Sequence, residues 1–452
     1  MSSEDSEGSY DSLGSEATEA IKARLIGYFA AYEDTFKFER LLGAGVAANA
    51  WRVRCRRRTG DPWARIVLKT PTGAGLAEET EGNLGASVVE FQNERRLLSE
   101  LRTRHLVRLI NFSDEEDPLA QTEPRNTIGS WIYLEYLENG TLAQLVEKCD
   151  DNDVECIPNR LLWRIFLCLI RACVAMAYIP DGPPANRYDE NEEPCTLAQG
   201  SVSYSHNDMH SENVMIGDLL GDPDDLEHLI CPVVKFIDLE SHNEYAGGEG
   251  MGVQRNLLNI GANMAEIILR SGVLGIDICG AAESDDGVWF EPGGGYDGFS
   301  TAAKELLVRG ADGRLPQPEL DPDLRRLVCE CTAINPRQRP RLASDLLPTV
   351  LEAVEDRDAA YYGRAGYCDA RVETDEAILG WVQRVLGAVP APPSTAGDSD
   401  EEDNLQVGGE GPESLEVYTP TGTRRFVARD SREASPESLP EDPRERYRKR
   451  DD

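Results

Sequence analysis

The sequence predicts an α+β chain with a strand-rich portion ahead of a mainly helical one, and three observations predict it. Near the start, Leu42–Val53 reads as strand, glycine turn and strand, and Arg65–Lys69 as a further apolar strand. Val89–Leu101 then carries apolar residues at helical spacing. Further along, Ile165–Ile179 is an apolar stretch interrupted by Arg171, too short for a membrane span and suited to a buried helix.

Each element brings candidate residues. In the glycine turn, Gly43 and Gly45, with Ala44 between them, would let the main chain approach an anion that a Cβ would obstruct. An ordinary hairpin turn gives the same local pattern. Lys69 ends its strand and by itself would pass for a solvated lysine. Glu94 sits one turn before Leu97 and Leu98, where it could face inward and pair with Lys69, while Glu90 and Glu100 read as solvated competitors. The most informative stretch is His206-Asn207-Asp208-Met209-His210-Ser211-Glu212-Asn213, followed by Lys235-Phe236-Ile237-Asp238. It spaces an Asp, an Asn and a second Asp as phosphoryl transfer from ATP requires.

Over roughly residues 37–355 these motifs resemble, in order, those of protein kinases, and most nearly the divergent protein-kinase-like proteins abundant in fungi. Trp131–Leu142 is similar to the family's fifth strand, hinge and following helix, and Ile334-Asn335-Pro336-Arg337-Gln338-Arg339-Pro340 to the paired helices that close the large lobe. The resemblance implies a bilobal fold with a small antiparallel β lobe carrying one main helix and a larger, mainly helical lobe. The expected organisation is a disordered acidic N-terminus at 1–18, an N-terminal helix and small lobe at 19–134, hinge and large lobe at 135–389, and a disordered acidic tail at 390–452. It implies Asp208 as base or orienter of the attacking hydroxyl, Lys69 as ligand of the α- and β-phosphates paired with Glu94, and Asn213 and Asp238 as ligands of Mg2+. Leu134 would be the gatekeeper, and the main chain of Glu135 and Leu137 would bond the adenine of ATP.

Several positions depart from the family pattern. Asn207 stands where an arginine would clamp a phosphorylated loop, and an amide cannot replace that charged fork. His210 replaces a lysine; it could contact the γ-phosphate or serve as a structural histidine. Ala48 replaces the third glycine of the loop, and Glu240 the glycine after the metal-binding Asp. The segment Glu240–Gln254 runs into a helical pattern at Asn256–Leu269 with no evident platform for a peptide, and it leaves Arg339 without its usual glutamate. Asn256 stands where the family has a helix-start Asp that braces the catalytic loop. The pairing of His-Asn-Asp with Ile-Asp-x-Glu is also similar to choline and aminoglycoside kinases.

Composition narrows the partners. The net charge of −36, which the acidic ends explain only in part, disfavours nucleic acid and anionic membranes and favours basic substrates. Arg52, Arg54, Arg56, Arg57 and Arg58 read as a solvated strand edge. Gly217–Glu227 reads as a solvated acidic hairpin because it lacks the spacing of a calcium loop. Gly73–Ala86, Ser113–Thr127, Asp181–Ser201 and Ser271–Gly295 read as loops or insertions, and the basic run Arg444–Arg450 as a weak nuclear-import signal. The 11 cysteines contain no Cys-x-x-Cys pair, and the start lacks an apolar leader. Reduced thiols and an intracellular setting, cytoplasmic or nuclear, are expected. Three readings follow: an active protein Ser/Thr kinase, a phosphotransferase acting on a small alcohol, and a pseudokinase scaffold that binds ATP or nothing.

Overall fold

The computed structural model describes residues 7–387 except 46–47, 57, 73–85, 102, 121–130, 153, 155, 180–201, 221–224, 240, 247–248, 271–287 and 291–297. The chain divides into two units, Met1–Tyr418 and Thr419–Asp452, and the described residues all belong to the first. Expectations for 1–6, Glu240, Arg57, Asp181–Ser201, the tail from 390 (Arg444–Arg450 included) and most of Gly73–Ala86 and Ser271–Gly295 fall outside them.

Five strands make an antiparallel sheet in the order β1-β2-β3-β5-β4: β1 (Phe36–Ala44), β2 (Ala48–Cys55), β3 (Ala64–Pro71), β4 (Leu109–Ile110) and β5 (Ile132–Glu135). Strict alternation along β2 buries Asn49, Trp51, Val53 and Cys55 on one face. Helix α1 (Glu7–Ala30) covers that face, presenting Ile21, Leu25 and Phe29 at four-residue spacing to Trp51, Val53, Ile66, Leu68 and Tyr133. The helix begins well before Glu19, so the stretch expected to be disordered to residue 18 is helical from Glu7. Extending a helix beyond a packed segment gains a hydrogen bond per residue without a new nucleation cost.

Arg52 and Arg54 lie on β2, which is paired on both sides, so the expected strand edge is instead an interior strand, and its arginines are partnered rather than merely solvated. Glu39 pairs with Arg52, Arg54 (2.7 Å) and Arg65 (3.8 Å), and Arg54 and Arg56 lie over the Trp63 ring. Helix α2 (Ala86–Glu100) packs Phe91, Leu97 and Leu98 into the main core, shared with the helical portion.

That portion comprises α3 (Leu142–Asp151), α4 (Asn159–Ala177), α5 (Met251–Leu269), α6 (Pro322–Cys331), α7 (Leu347–Asp356), α8 (Ala359–Ala365) and α9 (Asp375–Leu386). Every residue of α4 is buried; Arg171 is tolerated there because Glu227 pairs with it at 2.6 Å. Glu227 and Asp225, the latter 2.6 Å from Arg104, are therefore bound carboxylates, which corrects the expected solvated hairpin at these two residues, while its residues 221–224 lie outside the described ones. At Gly261 helices α5 and α6 approach so closely that a Cβ would meet Thr332 Cγ2 at 2.7 Å. Two short pairings flank the candidate site: β6 (Val202–Ser205) with β9 (Asn243–Ala246), and β7 (Val214–Ile216) with β8 (Val234–Phe236). The chain is thus mixed α+β, compatible with a bilobal kinase-like arrangement. Among the described residues, no helix is long and apolar enough to cross a membrane.

Candidate active site

Three distant segments meet at Lys69. From β3 its Nζ donates to Glu94 Oε2 on α2 at 2.9 Å and to Asp238 Oδ1 at 2.8 Å. Glu94 is fully buried and Asp238 is partly exposed, so the ammonium is held between an inner and an outer carboxylate. Val67 and Lys69 alternate with Ile66 and Leu68 along β3, which turns the lysine away from the core under α1.

The 206–213 loop is built on the β7–β8 hairpin. Its last residue, Asn213, and the residue before Asp238 lie side by side, since Ile237 N donates to Asn213 O at 3.0 Å. His206 Nε2 donates to Ile237 O at 2.8 Å, and Asp208 N donates to His206 Nδ1 at 3.4 Å. Burial lowers the His206 pKa, in keeping with that neutral tautomer. Asn213 Nδ2 donates to Asp208 O and Oδ2, both at 3.0 Å, leaving its amide oxygen as the atom suited to a metal. His210 Nε2 stands 3.6 Å from Asp208 Oδ1, facing the carboxylate from a half-exposed position. Asn207 and Asp238 both have φ of 66°, a left-handed conformation that Asn and Asp tolerate better than most residues.

Asn207 replaces the expected arginine with a local brace: it accepts from Ser205 Oγ at 2.6 Å and donates to Ser241 O at 2.7 Å. Asn256 is not a helix cap, because α5 starts at Met251. From inside the helix, buried, it accepts from His206 N and donates to Tyr204 O. Arg339 donates to the carbonyls of Ala333 (2.9 Å) and Gln254 (2.5 Å), and burial lowers its pKa to about 10. Glu249 lies at the end of the same segment. It accepts instead from Tyr178 Oη and from the amides of Leu342 and Ala343.

At the glycine turn, Gly45 N donates to Ala48 O at 2.7 Å, while open space lies where a Cβ of Gly43 would stand; Ala44 ends β1 beside Asn49. At the expected hinge, Leu134 and Leu137 are buried. Glu135 N donates to Arg108 O at 3.0 Å, and Glu135 Oε1 accepts from Arg108 N at 2.8 Å. Burial would raise the Glu135 carboxyl, but Lys235 (2.6 Å) and Arg108 outweigh it and hold the pKa low. Sequence reasoning missed Glu249, Lys235 and the main chain of Ile237, none of which carries a local signal.

No family model matches the chain. The class that the architecture and a sequence comparison support together is kinase-like. Over 133 residues the chain is 30% identical to a probable receptor-like protein kinase of Arabidopsis thaliana. The match covers 29% of this chain and 12% of that relative, so the chain spans only a small part of the relative's length.

Proposed function

We propose that this chain is an ATP-dependent phosphotransferase of the protein-kinase kind, passing the γ-phosphate to a Ser or Thr hydroxyl of a protein. The observation that carries the reading is the convergence of Lys69, Glu94 and Asp238, with Ile237 tying Asp238 to the Asp208–Asn213 loop. Asp208 would orient the hydroxyl and accept its proton, with His210 beside it; Lys69, held by Glu94, would take the α- and β-phosphates. The donor set at Asn213 and Asp238, an amide oxygen and a carboxylate, is the hard kind that fits Mg2+. When bound, Mg2+ would neutralise charge on the triphosphate. The main chain of Gly43, Ala44 and Gly45 would cover the phosphates, and that of Glu135 and Leu137 would meet the adenine. Asp238 would exchange Lys69 for the metal as the lysine turns to the nucleotide.

The net charge of −36 favours a basic protein substrate. One observation favours a small alcohol instead: between Asp238 and the start of α5 at Met251 there is room for little beyond β9. The test is Mg2+-dependent ATP turnover by the full chain, with mixed basic proteins and an alcohol panel offered separately. Asp208→Asn should cut turnover by about 10²–10⁴-fold while leaving nucleotide affinity nearly unchanged. Phosphate on protein supports the first reading and phosphate only on an alcohol the second. Equal turnover in both forms would remove Asp208 from the chemistry, and ATP binding without transfer to any acceptor would favour a scaffold.

A further inference from the structure

Behind the candidate active site, where the α2–β4 connection, α4 and the β7–β8 connection meet, three buried side chains converge. They are His105, Cys168 and His228, and their ligating atoms all lie within 4.8 Å of one another. We propose that these residues, with Cys231 as fourth donor, form a structural site for a divalent metal of the zinc class. The proposal stands independently of the phosphotransfer reading.

Both imidazoles are held from behind, as metal-bound histidines usually are. His228 Nδ1 lies 3.1 Å from each Asp225 carboxylate oxygen, so its Nε2 is turned to Cys168 Sγ at 3.6 Å. His105 Nδ1 lies 3.3 Å from Val234 O, leaving Nε2 as its ligating nitrogen. The rings stack with centroids 5.3 Å apart. Cys231 follows His228 as His-x-x-Cys on one loop and donates to Pro232 O at 3.2 Å; its sulfur lies outside the group of three and would have to turn from that carbonyl to complete the site.

Charge and softness select the ion. Two thiolates would balance a dication, so the apolar core would hold no net charge at the site. Nitrogen and sulfur donors suit zinc and disfavour magnesium, which separates this site from Asn213 and Asp238. A bound metal would hold Cys168 as thiolate.

The location gives the metal a mechanical role. Phe236 N donates to His105 O at 3.0 Å and Val107 N to Phe236 O at 2.9 Å, and Asp238 follows on the same strand exit. An ion at His105 would pin β8 from its far side.

The test is metal content of the full chain, expressed with zinc and dialysed against chelating resin. About one zinc per chain is expected, the number a single four-donor structural site holds. Cys168→Ser and His228→Gln should lose it, Cys231→Ser should bind more weakly, and a strong chelator should lower the wild-type melting temperature. Cobalt exchanged into the wild type should give thiolate-to-cobalt charge transfer and four-coordinate d–d bands. A metal-free wild type that takes up neither ion would overturn the proposal and leave a hydrogen-bonded His–Cys cluster held by Asp225. Full metal content in folded Cys168→Ser and His228→Gln would overturn it equally, by placing the ion elsewhere. Should those variants fail to fold, the cobalt spectrum decides, and a weak six-coordinate spectrum would count against the site.

Discussion

Replacing Lys69 by Met would strand Glu94 as a charge in the interior. Glu94 is fully buried and its Oε2 takes the lysine at 2.9 Å, so the variant should lose about 3–5 kcal/mol of stability, the usual cost of breaking a buried pair from one side. Asp238 adds little to that loss because water reaches it. Adding Glu94→Leu to Lys69→Met should restore most of the stability, since two apolar groups of similar shape replace a buried pair at nearly no net cost. Under the proposed function, nucleotide affinity and turnover should stay low in both variants, because the lysine proposed to hold the phosphates is gone in each. Urea unfolding followed by circular dichroism, alongside nucleotide titration, measures both quantities on the same proteins. The reasoning fails if Lys69→Met unfolds with wild-type stability, or if Glu94→Leu makes that variant still less stable.

Three other perturbations reach different parts of the fold. Gly261→Ala would drive a Cβ to 2.7 Å from Thr332 Cγ2 and 2.9 Å from Cys331 Cβ, so it should destabilise by about 1–3 kcal/mol in thermal unfolding. Leu25→Ala, at the fully buried centre of the α1 contact, should cost about 2–5 kcal/mol while turnover per folded molecule is retained. His206 is buried and its folded pKa lies below its unfolded one, so its contribution is complete above the unfolded value of about 6.5 and is lost as pH falls below it. A stability–pH series should therefore decline from pH 7 toward 5; buried His105, also shifted down, adds to the same limb, so His206→Asn should make it shallower without removing it.

Much of the site's layout could be read from residue spacing because its parts are local. The 206–213 loop and the exit of β8 at Asp238 carry their polar residues just outside regular elements, whereas Lys69, expected at a strand end, lies two residues inside the end of β3. Helical period puts Glu94 on the face of Leu97 and Leu98, but Glu90, one turn earlier, shares that face, so period alone does not separate the two. What could not be read depends on contacts across the fold. Asn256 looked like a helix start because the periodic pattern begins there, yet Gly250 and Met251 extend the helix earlier and place the amide inside. Arg339 without a carboxylate partner offered no hint of two carbonyl acceptors, and Glu249 no hint that it would cap the segment at Leu342. His105, Cys168 and His228 carry no shared spacing, since a connection, a helix and a hairpin loop supply one side chain or pair each. The helix over the sheet could be expected from residue 19 onward, but its earlier turns have no apolar stripe to announce them.

Ile237 offers its amide to Asn213 and its carbonyl to His206, which welds the approach to Asp238 onto the loop that bears Asp208. Asp208, Asn213 and Asp238 would therefore move as one rigid block, with the Lys69 ion pair as the adjustable coupling to the sheet. A nucleotide entering between them would freeze little additional chain on the helical side. Its binding entropy should be dominated by released water and by reorientation of the sheet, a signature that calorimetry across temperature can separate from loop ordering.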